Sequence, residues 1–288
     1  MAALAMHRLL LHGKAQWSSF LMLIIIAACA TKPEAIIAVE SLQNFADDNQ
    51  YELHVWHQGL GIQILQPKLL EAIDTPLNVF IGGDGEPWVR GGRVIASNPT
   101  RFDNTVYGLM KQSTLASIFL IRPCYYVLKM PLECDPELWT SARYSEQVVA
   151  SMERALRQLV LQQNITSINL IGFSGGASLA VLIAARADDA LPVNKVVSIA
   201  GNLAVKKWVA YHNYLPLRAS LEPQNQLPLG LPHLIMMGAD DVNVPPLLLL
   251  SQGELFDELT EVAVYNDVDH SCCWIEQASR LNEFLMRP

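Results

Sequence analysis

Long apolar runs are missing from this 288-residue sequence: the most hydrophobic stretch, residues 20–28, is about ten residues, half of what a membrane-spanning helix needs. Basic excess is missing too. Twenty Lys and Arg face 28 Asp and Glu for a net charge of −8, with no basic cluster, which argues against nucleic acid as a partner. Charged residues are only 17% of the chain while hydrophobic ones are 51%, which excludes a disordered polymer, and no internal repeat points to a solenoid. What remains is a chain able to bury one sizeable core.

His7, Arg8, His12 and Lys14 precede the short apolar run, the order of a signal peptide over residues 1–28. The run closes on Ile26-Ala27-Ala28-Cys29, which resembles the lipobox of bacterial lipoproteins. That resemblance implies cleavage before Cys29, lipidation of Cys29, and a protein tethered to a membrane at the extracytoplasmic face of a bacterial envelope. Several acyl chains hold a protein far more firmly than one. An uncleaved anchor or an ordinary secretory signal is the alternative. The mature chain, residues 29–288, then forms a single domain.

Export makes disulfides plausible for the other four cysteines, which allow three connectivities. Cys124 and Cys134 bracket a short stretch with Pro123 and Pro131, and a bridge there would close a small loop worth about 2–3 kcal/mol. Cys272 and Cys273 are adjacent in sequence. Their α-carbons are held about 3.8 Å apart across a trans peptide, so a bond between them would be strained and easily reduced; two buried thiols are the alternative.

Patterning predicts strands at residues 36–40 and 51–56 with a turn at 44–50, then strands at 77–81 and 117–121 around a helix at 104–112. Ser145 is placed to cap a helix starting at Glu146, with Val148, Val149, Met152, Leu156, Leu159 and Val160 on one face. Strands follow at 167–171, 195–200, 233–237 and 261–265, interleaved with helices at 177–187, 247–259 and 273–286. This alternation predicts a mostly parallel sheet with helices on both faces. Residues 201–232, proline-rich and longer than a crossover loop, read as a small cap.

The chemistry is carried by Gly172-Phe173-Ser174-Gly175-Gly176, where a predicted strand runs into a predicted helix. A serine on such a turn has its hydroxyl exposed and its neighbours crowded, which requires glycine on both sides. A hydroxyl is a poor nucleophile until a base takes its proton, and the base needs an acid to fix its tautomer. His270, just after the last predicted strand, is the one histidine that follows the candidate acids. Gly238-Ala239-Asp240-Asp241-Val242-Asn243-Val244-Pro245 resembles the Gly-x-x-Asp-x-x-Val-Pro pattern of α/β-hydrolases, whose spacing selects Asp241 over its neighbour Asp240. The amide of Gly175 is the first expected oxyanion donor. Aligning Gly83 with the glycine of the hydrolases' His-Gly-x loop puts the second on the amide of Asp84, whose carboxylate would shape the loop. Gly82 stands where many relatives carry histidine.

These passages, with Trp88, Arg122-Pro123-Cys124, Trp139-Thr140-Ser141-Ala142-Arg143 and Asp269-His270-Ser271-Cys272-Cys273-Trp274, resemble the α/β-hydrolase superfamily, and within it exported bacterial lipoprotein hydrolases. The resemblance implies the α/β-hydrolase fold and a serine hydrolase, esterase- or lipase-like, working through an acyl-enzyme on Ser174 without cofactor or metal. Its substrate would be a small-molecule or lipid-like acyl compound, with Trp88, Trp208 and His212 as candidates to line the pocket, beside Tyr211. A catalytically silent lipoprotein that binds an envelope component is the competing reading, and a redox switch at Cys272 and Cys273 a third.

Overall fold

The computed structural model describes residues 32–56, 60–70, 75–227, 229–251 and 255–288. The signal segment and Cys29 lie outside the described residues. From Pro33 onward the chain forms one compact unit, and no described helix is long and apolar enough to cross a membrane.

The first element departs from expectation. Residues 36–40 and most of the expected turn at 44–50 belong to one helix, α1 (Glu34–Asn49), entered through Pro33 and left through Gln50 at φ 61°. Ala38, Leu42, Phe45 and Ala46 are its buried residues, a helical stripe that the apolar cluster at the start of the segment hides. Next come β1 (Tyr51–Trp56) and β2 (Ile62–Pro67), the second a strand that the sequence pattern does not announce because apolar and polar residues fail to alternate cleanly. Then follow β3 (Leu77–Ile81), a two-residue ribbon of β4 (Trp88–Val89) and β5 (Val94–Ile95), α2 (Asn104–Gln112) and β6 (Ser117–Ile121). The rest is α3 (Glu146–Gln163), β7 (Ile168–Phe173), α4 (Gly175–Ala184), β8 (Val193–Ile199), α5 (Val205–Tyr211), β9 (His233–Gly238), α6 (Leu247–Leu250), β10 (Thr260–Tyr265) and α7 (Ala278–Met286).

Eight strands form one sheet in the order β1-β2-β6-β3-β7-β8-β9-β10. Within this sheet the β1–β2 and β2–β6 pairings are antiparallel, and β6, β3, β7, β8, β9 and β10 run parallel. Every residue of β3, β6 and β9 is buried, as strands covered on both faces must be, whereas the edge strands β1 and β10 have only half-buried and exposed residues, the exposed ones sharing one face. Helix α4 packs on β7 and β8 and is buried all round. This is the α/β-hydrolase fold.

Two predicted helices are shorter than their patterns suggest. The helix expected over 247–259 stops at Leu250, and the chain from residue 255 turns into β10 with Asp257 accepting from Leu259 N and Thr260 Oγ1. The helix expected from residue 273 begins at Ala278, because Cys273 sits at φ 79°, which a helix cannot accommodate. Ser145 caps α3 as its position suggests, accepting from Val148 N.

Candidate active site

Strand β7 delivers the chain to Ser174, which stands at φ 53° and ψ −121° before α4 begins at Gly175. A non-glycine residue in that region is strained, and the surroundings fix it: its N–H donates to Ile199 O at 2.8 Å, and its carbonyl accepts from Ala177 N at 3.0 Å. The flanking glycines are required by space. A Cβ on Gly172 would lie 2.4 Å from the backbone of Ala177, and one on Gly176 2.2 Å from Ile81 O.

Ser174 Oγ is 3.0 Å from His270 Nε2, and His270 Nδ1 is 2.8 Å from Asp241 Oδ2. A carboxylate only accepts, so the imidazole proton resides on Nδ1 and Nε2 is left to receive the serine hydroxyl proton. The Asp241 side chain is fully buried while that of His270 is 19% exposed, open enough to meet a substrate. Asp241 Oδ1 accepts from Asn243 N at 2.9 Å and Val244 N at 2.7 Å, which fixes the carboxylate before it meets the ring. Asp240, its neighbour, is exposed, and the carboxylate bonded to His270 is that of Asp241. The carbonyl of His270 is held from behind by Trp274 Nε1 at 3.2 Å, and Trp274 is buried.

Almost every polar group of the Gly83-Asp84 pair is occupied. Gly83 N donates to Asp103 Oδ2 at 3.1 Å, Gly83 O accepts from Arg122 Nη1 at 3.3 Å, and Asp84 O accepts from Tyr125 Oη at 2.8 Å. The Asp84 carboxylate takes Arg122 on one oxygen, and on the other Arg143 Nη1 at 2.9 Å and Tyr144 Oη at 2.6 Å. The amide of Asp84 is the group left over. Gly83, counted with Asp84 and Gly175 as oxyanion backbone on the sequence pattern, is not a donor in the structure: its amide is spent on Asp103, and it lines the site beside Ser174, a Cβ there standing 3.4 Å from Ser174 Cβ.

Burial by itself would raise the Asp84 carboxyl, but the Arg122 and Arg143 guanidinium groups and the Tyr144 hydroxyl hold it well below the usual carboxylate range. Asp103 goes the other way. Burial raises its carboxyl, and the N–H groups of Gly83, Val106 and Thr105 offset only part of that. No local pattern joins Asp84 to residues 122, 143 and 144, so the passages around Arg122 and Arg143 carry no mark of this role in the sequence. Asp103 had a local signal, as the side chain capping α2 through Val106 N at 3.1 Å.

Ser174 and His270 line a cavity of about 1130 Å³, at or above the upper end for small-molecule sites. Trp88, Ile95, Trp208, Tyr214 and Leu215 also line it. His212 does not line it: its Nε2 donates to Asn243 O at 2.7 Å, the carbonyl that also accepts from Trp208 Nε1 at 2.9 Å. Both rings thus tie α5 to the loop that carries Asp241. Tyr211 is exposed and likewise off the cavity wall. The disulfides are Cys124–Cys134, with Cα atoms 5.7 Å apart, and Cys272–Cys273, two residues beyond His270.

A second serine–histidine contact, Ser198 Oγ to His233 Nε2 at 2.9 Å, is of another kind. Both residues have zero exposure, and neither lines the cavity. His233 Nδ1 has no partner among the described residues, so the ring is neutral with its proton on Nε2, donated to Ser198.

No protein-family model matches the sequence, and no curated protein matches it. Solved structures do. An alpha-beta serine hydrolase homologue from Coxiella burnetii matches with a TM-score of 0.52 and 19% identity over 82% of this chain and 96% of that one. An esterase from Pyrococcus furiosus gives 0.56 and 14% over 83% and 92%, and a carboxylesterase from Bacillus subtilis 0.54 and 13% over 87% and 96%. At such identities the likeness is one of fold, and the fold is that of the α/β hydrolases.

Proposed function

We propose that this protein is a serine hydrolase that cleaves carboxylic esters through an acyl-enzyme on Ser174. The observation that carries this reading is the unbroken chain from Ser174 Oγ through His270 to the buried Asp241, set at a strained turn on the wall of a large cavity. In the first half-reaction Ser174 Oγ bonds to the substrate carbonyl carbon while His270 Nε2 takes the hydroxyl proton. Asp241 keeps the ring oriented and stabilises the imidazolium. The carbonyl oxygen becomes an oxyanion received by the amides of Asp84 and Gly175, a stabilisation of about 2.7–4 kcal/mol per donor in enzymes of this kind. Collapse breaks the carbon–oxygen bond, and the leaving alcohol departs with the proton from His270. Water, deprotonated by the same ring, then releases the acid.

Residues 201–232 act in this reading as a cap, because Trp208 and the segment 213–218 furnish one wall of the cavity. The sequence Ile26-Ala27-Ala28-Cys29 supports the further reading of a lipid-anchored protein of the bacterial envelope. A fluorophosphonate probe tests the enzyme: the folded protein should be labelled, and Ser174→Ala should abolish labelling together with turnover of a short-chain aryl ester. Absence of labelling in folded wild-type protein would leave a catalytically silent binding protein.

A further inference from the structure

The mechanism uses the amide of Asp84 but leaves its side chain and two buried arginines without a role. Arg122 and Arg143 have side chains only 3% and 6% exposed, and both line the cavity that holds Ser174. Buried guanidinium groups are costly unless they are paired. Here two of them share a single carboxylate, that of Asp84, so the cluster carries one positive charge beyond what it neutralises within itself. The remaining bonds go to neutral acceptors: Arg122 Nη2 to Arg143 O at 3.0 Å and Arg143 Nε to Thr140 O at 2.8 Å. Arg122 Nε, buried, has no partner among the described residues.

The placement of this excess charge gives it a use. Arg122 reaches both residues of the loop, through Gly83 O and the Asp84 carboxylate. That carboxylate in turn packs against the α-carbon of Gly175, since an ideal Cβ there would lie 2.0 Å from Asp84 Oδ1 and 2.7 Å from Tyr144 Oη. The cluster therefore touches both residues whose amides are to receive the oxyanion. We infer that Arg122 and Arg143 are positioning residues for the oxyanion site, clamping Asp84 against Gly175 and leaving beside the two amides a positive charge that only the negative charge of the transition state completes.

This inference rests on the serine-hydrolase reading, and it makes a distinct demand. Groups preorganised for charge that develops during reaction change the rate of the chemical step and leave binding of the neutral ground state almost untouched. Inactivation by a fluorophosphonate separates the two without knowledge of the natural substrate. The Ser174 Oγ–P bond forms, the P–F bond breaks with departure of fluoride, and His270 accepts the hydroxyl proton. The concentration dependence of the rate yields a maximal rate constant and a half-saturation concentration.

With full-length protein, Arg143→Met should lower the maximal rate constant by about tenfold or more while moving the half-saturation concentration less than about threefold. Arg143→Lys, which retains the charge and one bond, should recover most of that loss. Equal inactivation of wild type and a folded Arg143→Met would overturn the inference, and so would a loss confined to half-saturation. If Arg143→Met does not fold, Arg143→Lys decides: a rate constant within about threefold of wild type upholds the role of charge, and a loss of tenfold or more overturns it. Unlabelled wild-type protein would instead remove the parent reading.

Discussion

Asp84 Oδ1 fills the space that a side chain on Gly175 would need, with only 2.0 Å between that oxygen and an ideal Cβ. The carboxylate is fixed where it is by its bonds from Arg122, Arg143 and Tyr144, and the Tyr144 hydroxyl itself stands 2.7 Å from the same Cβ position. Gly175→Ala must therefore move the Asp84 loop or the start of α4. The expected result is a stability loss of about 1–3 kcal/mol with a much larger fall in ester turnover. Thermal unfolding and aryl-ester kinetics on one preparation measure both, and a variant with wild-type turnover would show that the loop adapts.

Two adjacent acids make a clean control. Asp241→Asn should cut kcat by about 10⁴-fold with the fold intact, because an amide no longer dictates which nitrogen of His270 carries the proton. Asp240→Asn, at an exposed position, should leave kcat within about twofold. Kinetics on a short-chain aryl ester read both, and the reverse pattern would reassign the acid.

His233 predicts a pH dependence of stability. Burial pulls its pKa down from 6.5 to about 3, partly countered by Asp257, so between those values the unfolded chain binds a proton that the folded protein refuses. Stability is accordingly full above about pH 6.5 and falls as the pH drops toward 3, by a few kcal/mol from this residue. Urea unfolding at pH 7 and pH 5 should show the loss, and His233→Gln should flatten it. Ser198→Ala should leave ester turnover within about twofold, as befits a partner hidden in the core.

The proposed lipid anchor is tested in cells. Cys29→Ser should move the protein from the membrane fraction to the soluble extracytoplasmic fraction, and mass spectrometry of the wild-type mature terminus should find acyl chains on Cys29. An unmodified Cys29 in membrane-bound protein would return the segment to an uncleaved anchor.

Much of this fold is legible in the sequence because the parallel strands at 77–81, 117–121 and 233–238 are buried on both faces and read as short apolar runs. The same rule misleads at α1, where residues 36–40 look like a strand although burial follows Ala38, Leu42 and Phe45. Ser174 stands out by its glycine-flanked turn, Asp241 by the spacing of residues 238–245 and His270 as the one histidine that follows the candidate acids, and the structure brings the three into hydrogen-bond contact. The clamp on Asp84 has no such trace. Its members are 38, 59 and 60 residues away from Asp84 in the chain, joined only by the packing of β3 beside β6 and the loop that follows β6. His212 illustrates the opposite error, an aromatic taken for pocket wall that fastens a helix to a loop.

Helix α4, which begins one residue after Ser174, has no exposed residue between Gly175 and Ala184. A mutation anywhere along it must satisfy close-packed neighbours on every side, so the nucleophile's mount has almost no freedom to drift. Leu215, 76% exposed, and Ile95, 40% exposed, have that freedom while still lining the cavity. Selection for a different acyl group, in nature or in a mutant library, would therefore leave its record in the β4–β5 ribbon and in residues 213–218, with the elbow beneath them unchanged.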